Sequence, residues 1–331
     1  MSKKLFIIIL LILAIVWLGV FLFTKDFSTA EPTKYGVTFS KKYAIELELD
    51  WHQSYLAILD QLQVTNLRLV AYWDDIEPVQ DSFDFSDLDW QITEAQNRGI
   101  DIGLVVGRRA PRWPECHDPD WLINLAPLAI QQQQLEYIRA VIERYQSNDV
   151  IKSWQVENEP LFALFGECPL PDKKFLAQEI ELVRSLDNTR PIVVTDSGEL
   201  NHWQGAASLA DNLGITLYRV VWNKYLGFWD YFFLPPAAYR YKADLTKFFH
   251  KNLDKVIVIE LQMEPWTLDK PMIELTLEEQ ERSFTLQRFK DNINYVEQAG
   301  FAEVYLWGVE YWYWLDQQGY PNIWQEAKEL W

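Results

Sequence analysis

"IKSWQVENEP", residues 151–160, runs from a β-branched and aromatic segment straight into two carboxylates, an asparagine and a proline. As a buried strand over 151–157 closed by an Asn-Glu-Pro corner, it needs neighbours of the same kind. The chain supplies seven: "YGVTF" (35–39), "NLRLVAY" (66–72), "DIGLVVG" (101–107), "PIVVTD" (191–196), "GITLY" (214–218), "KVIVIE" (255–260) and "AEVYLWG" (302–308). Most are short runs rich in Val, Ile and Leu, the pattern of strands covered on both faces. Helical patterns lie between them. "SDLDWQITEAQNRG" has a Ser cap at Ser86 and a stop at Gly99. "QQQQLEYIRAVIERY" (131–145) puts Leu135, Ile138, Val141 and Ile142 on one face, and its glutamine run reads as a solvated helix turn. "TLEEQERSFTLQRF" opens on a capping box of Thr276 and Glu279. Eight strands alternating with helices predict an α/β fold with a parallel sheet. The number eight predicts a closed (β/α)8 TIM barrel rather than an open, doubly wound sheet. No glycine-rich phosphate fingerprint follows the first strand.

The 331 residues hold a barrel of about 250 with little left over. A formal charge of −18 argues against nucleic acid or an anionic membrane surface as the main partner, since both would be repelled. Sixteen Trp, 16 Tyr and 18 Phe fill a core first, but Trp also stacks on flat apolar faces such as sugar rings. At the N-terminus, "MSKK" precedes Leu5–Phe23, nineteen residues without a charge or a proline. As a helix that run spans about 28 Å, close to the hydrocarbon core of a bilayer. The expected organisation is a cytoplasmic stretch 1–4, a transmembrane anchor 5–23, a linker 24–33 and an exported domain 34–331. Lys3 and Lys4 set the orientation. The alternative is secretion after signal cleavage, for which Ser28-Thr29-Ala30 is a weak site. Cys116 and Cys168 are too few for a disulfide framework and leave one bridge or two buried thiols open.

In a barrel of this kind chemistry collects where strands end and βα loops begin. Those positions hold Arg68 on the second strand, followed by Trp73, Asp74, Asp75 and Glu77; the third strand leads into "GRRAPRWPECHDPDW" (107–121). The remaining ends are Asn158-Glu159-Pro160, Asp196, Tyr218, Glu260 and Trp307. Carboxylates there cost desolvation unless they are paired or face a cleft. Simple salt bridging, Glu159 with Arg68 and Glu260 with a rim cation, is one account. The sharper account sets Glu159 and Glu260 across the barrel mouth. Two carboxyl groups about 5 Å apart, one protonated and one ionised, are what retaining glycoside cleavage requires. Competing chemistries lack their motifs. No H-E-x-x-H occurs, and His52, His117, His202 and His250 are scattered. "TDSGE" (195–199) lacks the spacing of a nucleophile elbow, and no Walker loop is present. No metal and no cofactor is expected.

The residues from about Tyr35 to Trp331 resemble glycoside hydrolase clan A, the retaining (β/α)8 glycosidases. The motifs are "WQVENEP", "VIVIELQMEPW" and "YLWGVEYWYW". The section from Leu67 to Gly107 is similar to the second and third βα units of cellulase-like family 5 and β-galactosidase-like family 42 members. The resemblance implies Glu159 as acid/base and Glu260 as nucleophile. It implies Asn158 on the sugar 2-hydroxyl, Arg68 and Tyr218 on Glu260, and Trp307 beneath the same sugar. An adjacent guanidinium favours an ionised nucleophile, and the nearby negative charge favours a protonated Glu159. The chain departs from the family patterns at Thr216, where family 5 cellulases commonly carry His, and in lacking the cysteine cluster of many family 42 enzymes.

Glu157 lies two residues before Glu159, so in a regular strand both face the same way; it is read as a partner of Arg108 or Arg109. Glu264 is read as a loop carboxylate. Cys116 and Cys168 fall in the neighbouring third and fourth βα loops, which predicts a bridge strapping the cleft wall. Trp73, Trp113, Trp121, Trp203, Trp266, Trp312 and Trp314 are candidate sugar contacts, with Trp73, Trp113 and Trp266 foremost. The expected function is a membrane-anchored, exported retaining β-glycosidase acting on a poly- or oligosaccharide, with a carbohydrate and a lipid bilayer as partners. The alternatives are a transglycosylase using the same glycosyl-enzyme intermediate and a catalytically silent cell-surface glycan-binding barrel.

Overall fold

The computed structural model describes Trp17 and residues 19–225, 227–267 and 270–331. Its strands are β1 (Lys34–Thr38), β2 (Asn66–Val70), β3 (Asp101–Val106), β4 (Ile151–Val156), β5 (Ile192–Asp196), β6 (Asn212–Leu217), β7 (Val220–Asn223), β8 (Gly227–Asp230), β9 (Lys255–Gln262) and β10 (Glu303–Trp307). All but β7 and β8 close into a barrel, each strand beside its sequence neighbour and β10 beside β1. Every barrel pairing is parallel. The eight strands fall on the eight apolar runs, with ends shifted by a residue or two.

Period-two alternation explains the closure. Leu67 and Leu69 of β2, like Trp154 and Val156 of β4, pack outward into the main core with the helices. Asn66, Arg68, Ser153 and Gln155, the residues between, line the lumen. A separate cluster of Val193, Ile257, Ile259 and Tyr305 fills it from inside. β7 and β8 form an antiparallel hairpin inserted after β6 that the sequence reading missed. Its alternation resembles that of a barrel strand, and nothing local marks it as an insertion.

The longer helices are α1 (Ser86–Asn97), α2 (Pro127–Tyr145), α3 (Lys173–Leu186), α4 (Pro236–Phe249), α5 (Leu286–Ala299) and α6 (Val309–Gln317). Ser86 is not the cap of α1. It is the first helical residue, and its N–H donates to the carboxylate of Asp84 at 2.9 Å. The capping box of Thr276 and Glu279 forms, but its helix stops at Glu281 and α5 restarts under Thr285. The glutamine run is not wholly solvated: α2 begins at Pro127, which turns Gln134 inward.

Of the expected anchor, residues 5–16 and 18 lie outside the described residues, as does the stretch 1–4. Among the described residues no helix is long and apolar enough to cross a membrane. Residues 19–23 are helical.

Candidate active site

Arg68 organises the mouth from inside the lumen. It is 1% exposed, and its guanidinium spends three nitrogens on three acceptors. Nε donates to Gln155 Oε1, Nη1 to Glu260 Oε1 and Nη2 to Asn158 Oδ1, each at 2.8 Å. One planar fork thereby ties the ends of β4 and β9 together. The other oxygen of Glu260 accepts from the Tyr218 hydroxyl at 3.1 Å. Burial, and then the charge of Glu260, raise the Tyr218 pKa well above the ordinary range, so the phenol keeps the proton it donates. Arg68 therefore pairs with Glu260, and the simple Glu159–Arg68 salt bridge does not form.

Glu159 sits on the opposite wall, buried, at φ +45 just beyond β4. Its backbone N–H donates to Thr195 Oγ1 at 2.6 Å, which fixes the turn to the end of β5. Thr216 Oγ1 stands 3.4 Å from Glu159 Oε1 and accepts from the Gly198 N–H at 3.0 Å. Thr216 is also the register partner of Glu260 across β6 and β9, which places the two glutamates on either side of it. Burial raises the Glu159 pKa well above the carboxylate range, and the charges of Glu260 and Glu115 add to the rise.

Glu157 and Glu159 do not face the same way. β4 ends at Val156, and Glu157 adopts φ +63, which breaks the alternation. The Glu157 carboxylate accepts from the backbone N–H groups of Arg108 (2.8 Å) and Arg109 (2.7 Å), not from their guanidinium groups. It also accepts from Gln134 Nε2 of α2 at 2.6 Å, and Gln134 donates to Glu179 Oε1 of α3 at 2.5 Å. Burial, then the charge of Glu157, push Glu179 well above the ordinary range. The pair pins the start of the third βα loop to the outer helices. Gly107 makes room for it: at φ +114, a Cβ there would lie 2.6 Å from Glu157 Oε1.

The third and fourth βα loops form one wall. Cys116 and Cys168 are disulfide-bonded with Cα atoms 5.3 Å apart. Arg109 donates to Phe162 O (2.9 Å) and Phe165 O (2.7 Å) of the neighbouring loop. Glu115, beside the bridge, is buried and accepts from Asn158 Nδ2 at 3.1 Å. Burial is the main reason its pKa is pushed up to about 7. Arg112 reaches across the mouth. Its guanidinium lies 3.6 Å from the Tyr43 ring centroid and 4.0 Å from that of Trp307. It pairs with Glu264 and, at 3.1 Å, with Glu310. Glu264 is thus a buried ion-pair partner rather than an exposed loop charge. Gly308, at φ +111, admits it, since a Cβ there would lie 2.5 Å from Glu264 Cβ.

The structure brings Arg68, Asn158, Glu159, Tyr218 and Glu260 together and sorts the tryptophans. Trp73 is a correction: it is fully buried, stacks on Tyr137 and donates Nε1 to Glu77, because the short helix it opens turns it toward the helical layer. Trp203 and Trp312 are likewise core residues. Trp121 and Trp314 pack against the same core. Trp307 reaches the mouth, but Arg112 covers one ring face. Trp113, 59% exposed, and the half-buried Trp266 do line the cleft. With Phe165 between them they form an aromatic row, Tyr218–Trp266–Phe165–Trp113, whose centroids are 5.5, 6.0 and 5.7 Å apart. Sequence reading did not single out Gln134, Glu179, Glu115, Arg112 or Thr195. The one available signal was the concentration of charge in the third βα loop. Among the described residues no group of three His, Cys, Asp or Glu side chains is arranged to hold a metal ion.

No protein-family model and no curated protein sequence matches the chain. Solved structures do. GH5_18 from Bifidobacterium longum subsp. longum superposes with a TM-score of 0.59 at 13% identity, over 84% of this chain and 70% of that one. GH5_18 from Streptomyces cattleya, solved in complex with GlcNAc, gives 0.58 at 12% identity, over 84% and 71%. A β-galactosidase from Halorubrum lacusprofundi gives 0.56 at 15% identity, over 83% of this chain and 52% of that one. The barrel has the fold of clan A glycoside hydrolases. The chain spans about half the length of that β-galactosidase, and at these identities the likeness is one of fold.

Proposed function

We propose that this clan A barrel is a retaining β-glycoside hydrolase in which Glu159 protonates the departing oxygen and Glu260 attacks the anomeric carbon. The observation that carries the reading is the opposite treatment of two carboxyl groups in one mouth. Glu260 accepts from a guanidinium and a phenol on its two oxygens, the setting of a carboxylate nucleophile. Glu159 is buried among negative charges, the setting of an acid. In the first step the C–O glycosidic bond breaks as the Glu260–carbon bond forms, and the Glu159 proton goes to the leaving oxygen. Water, deprotonated by Glu159, then releases the sugar. The aromatic row leading out from Tyr218 supports a carbohydrate with more than one ring. The test is a panel of aryl β-glycosides, β-glucans and mannose- or GlcNAc-containing glycosides; a solved GH5_18 barrel of similar fold was crystallised with Manβ1-4GlcNAc. Glu260→Ala should abolish turnover, and Glu159→Ala should lower kcat by about 10²–10⁴-fold. A 2-deoxy-2-fluoro glycoside should add one sugar mass to the peptide carrying Glu260. No cleavage by the parent chain, or wild-type rates in either variant, would overturn the reading.

We also propose that residues 5–23 anchor the chain in a membrane with the barrel on the extracytoplasmic side. The Cys116–Cys168 disulfide supports an oxidising compartment.

A further inference from the structure

We propose that the outer face of α4 rests on the lipid bilayer, so that the barrel is docked with its mouth turned away from the membrane. The inference rests on the reading of residues 5–23 as an anchor. Its structural basis is where that segment meets the barrel. Phe27 is the fixed point. Its N–H donates to Gln298 O at 2.9 Å, its ring meets Tyr241 of α4 edge-on at 5.3 Å, and Lys25 Nζ lies 4.5 Å from the ring centroid. Gly300 closes against it, where a Cβ would lie 2.4 Å from Phe27 O.

Only Thr24, Lys25 and Asp26 separate Phe27 from the last apolar residue, Phe23. Four residue steps reach at most about 14 Å, little more than the diameter of one helix. A membrane entered at Phe23 therefore lies against whatever surface surrounds Tyr241.

That surface carries an apolar stripe that no described residue covers, with the Arg240–Asp244 ion pair beside it. Helical spacing carries the face of Tyr241 on to Leu245, Phe248 and Phe249, which are 55%, 62% and 63% exposed. The opposite face of α4, with Tyr239, Ala243 and Thr246, is buried on the barrel. Single exposed apolar side chains are ordinary, but three on one helix face beside a membrane tether are not. Lys247 and Lys251 flank them, with Lys251 Nζ 4.5 Å from the Phe248 ring centroid, cations suited to the headgroup level. Because the net charge of −18 disfavours anionic lipid, the apolar contact carries the docking. α4 leaves the mouth after the hairpin and ends at Phe249, shortly before β9 begins at the opposite end of the barrel. The exposed stripe thus occupies the end away from Glu159 and Glu260.

The test uses the full chain in phosphatidylcholine vesicles with a polarity-sensitive fluorophore on a single introduced thiol. Phe249→Cys reports the stripe. Phe232→Cys, at a residue 78% exposed beside the hairpin, reports the mouth end. The expected result is a blue-shifted emission at 249 that brominated acyl chains quench, with neither effect at 232. Equal, unquenched emission at both positions in vesicles that retain the protein through alkaline carbonate would overturn the docking and leave the anchor standing. Loss of the protein to the supernatant would overturn both. Quenching at 232 alone would mean the mouth faces the lipid, and pyrene excimers at 249 would mean a second copy covers the stripe; either result overturns the proposal.

Discussion

Burial raises the pKa of Glu159, and the charges of Glu260 and Glu115 raise it further. In the proposed mechanism the acid form protonates the leaving oxygen, so kcat/KM should hold below that pKa and fall as pH rises through it. Glu115, itself pushed up to about 7, is anionic above that value and helps Glu159 keep its proton there. Glu115→Gln should therefore move the alkaline limb of the pH–rate profile to lower pH; an unmoved limb would mean that Glu159 does not feel this charge. Arg112 poses a different question at the same scale. Its removal leaves Glu264 and Glu310 buried without their cation, so Arg112→Met should destabilise the protein by about 3–5 kcal/mol in denaturant unfolding. Arg112→Lys should not restore the loss, because the stack between Tyr43 and Trp307 and the two-headed pairing need a flat guanidinium.

Elements are joined at two places away from Glu159 and Glu260. Gln134 of α2, Glu179 of α3 and Glu157 beyond β4 form a buried polar cluster behind the Asn158-Glu159-Pro160 turn. The native pKa of Glu179 is raised, so its contribution to stability is fully present below the ordinary value of 4.5 and is lost as pH rises through the native one. An amide at this position stays neutral throughout. Glu179→Gln should flatten the fall of Tm above pH 4.5, and calorimetry across that range measures it. The second join is the Cys116–Cys168 bridge, which closes a span of 52 residues. Cys116→Ser with Cys168→Ser should cost about 2–4 kcal/mol in reversible unfolding. Activity should fall as well, since Glu115 adjoins the bridge and meets Asn158.

For the molecule as a whole, the proposed anchor over residues 5–23 carries its own prediction. The mature chain should keep residues 1–30, and intact-mass measurement of protein extracted from membranes decides between an anchor and a cleaved signal. Much of the rest was legible in the order of residues. Eight apolar runs separated by helical patterns lead to one closed parallel sheet, because strands covered on both faces must be continuously apolar and eight of them close. Strand ends are positions of known direction, so Arg68, Asn158, Glu159, Tyr218 and Glu260 could be brought to one mouth on paper. Register ends where the strand does. Glu157 and Trp73 were misread because a positive φ and a short helix turn their side chains to the outer layer, which alternation does not foresee. Glu115 and Arg112 belong to a loop whose path is set by a bridge to a cysteine 52 residues on and by contacts on the far side of the barrel. Local pattern, then, determined the barrel and the placing of Glu159 and Glu260 at its mouth, since burial of a strand depends on its own side chains. The tertiary structure alone decided which charges surround that pair, because burial and ion pairing at the mouth are sums over residues distant in the chain.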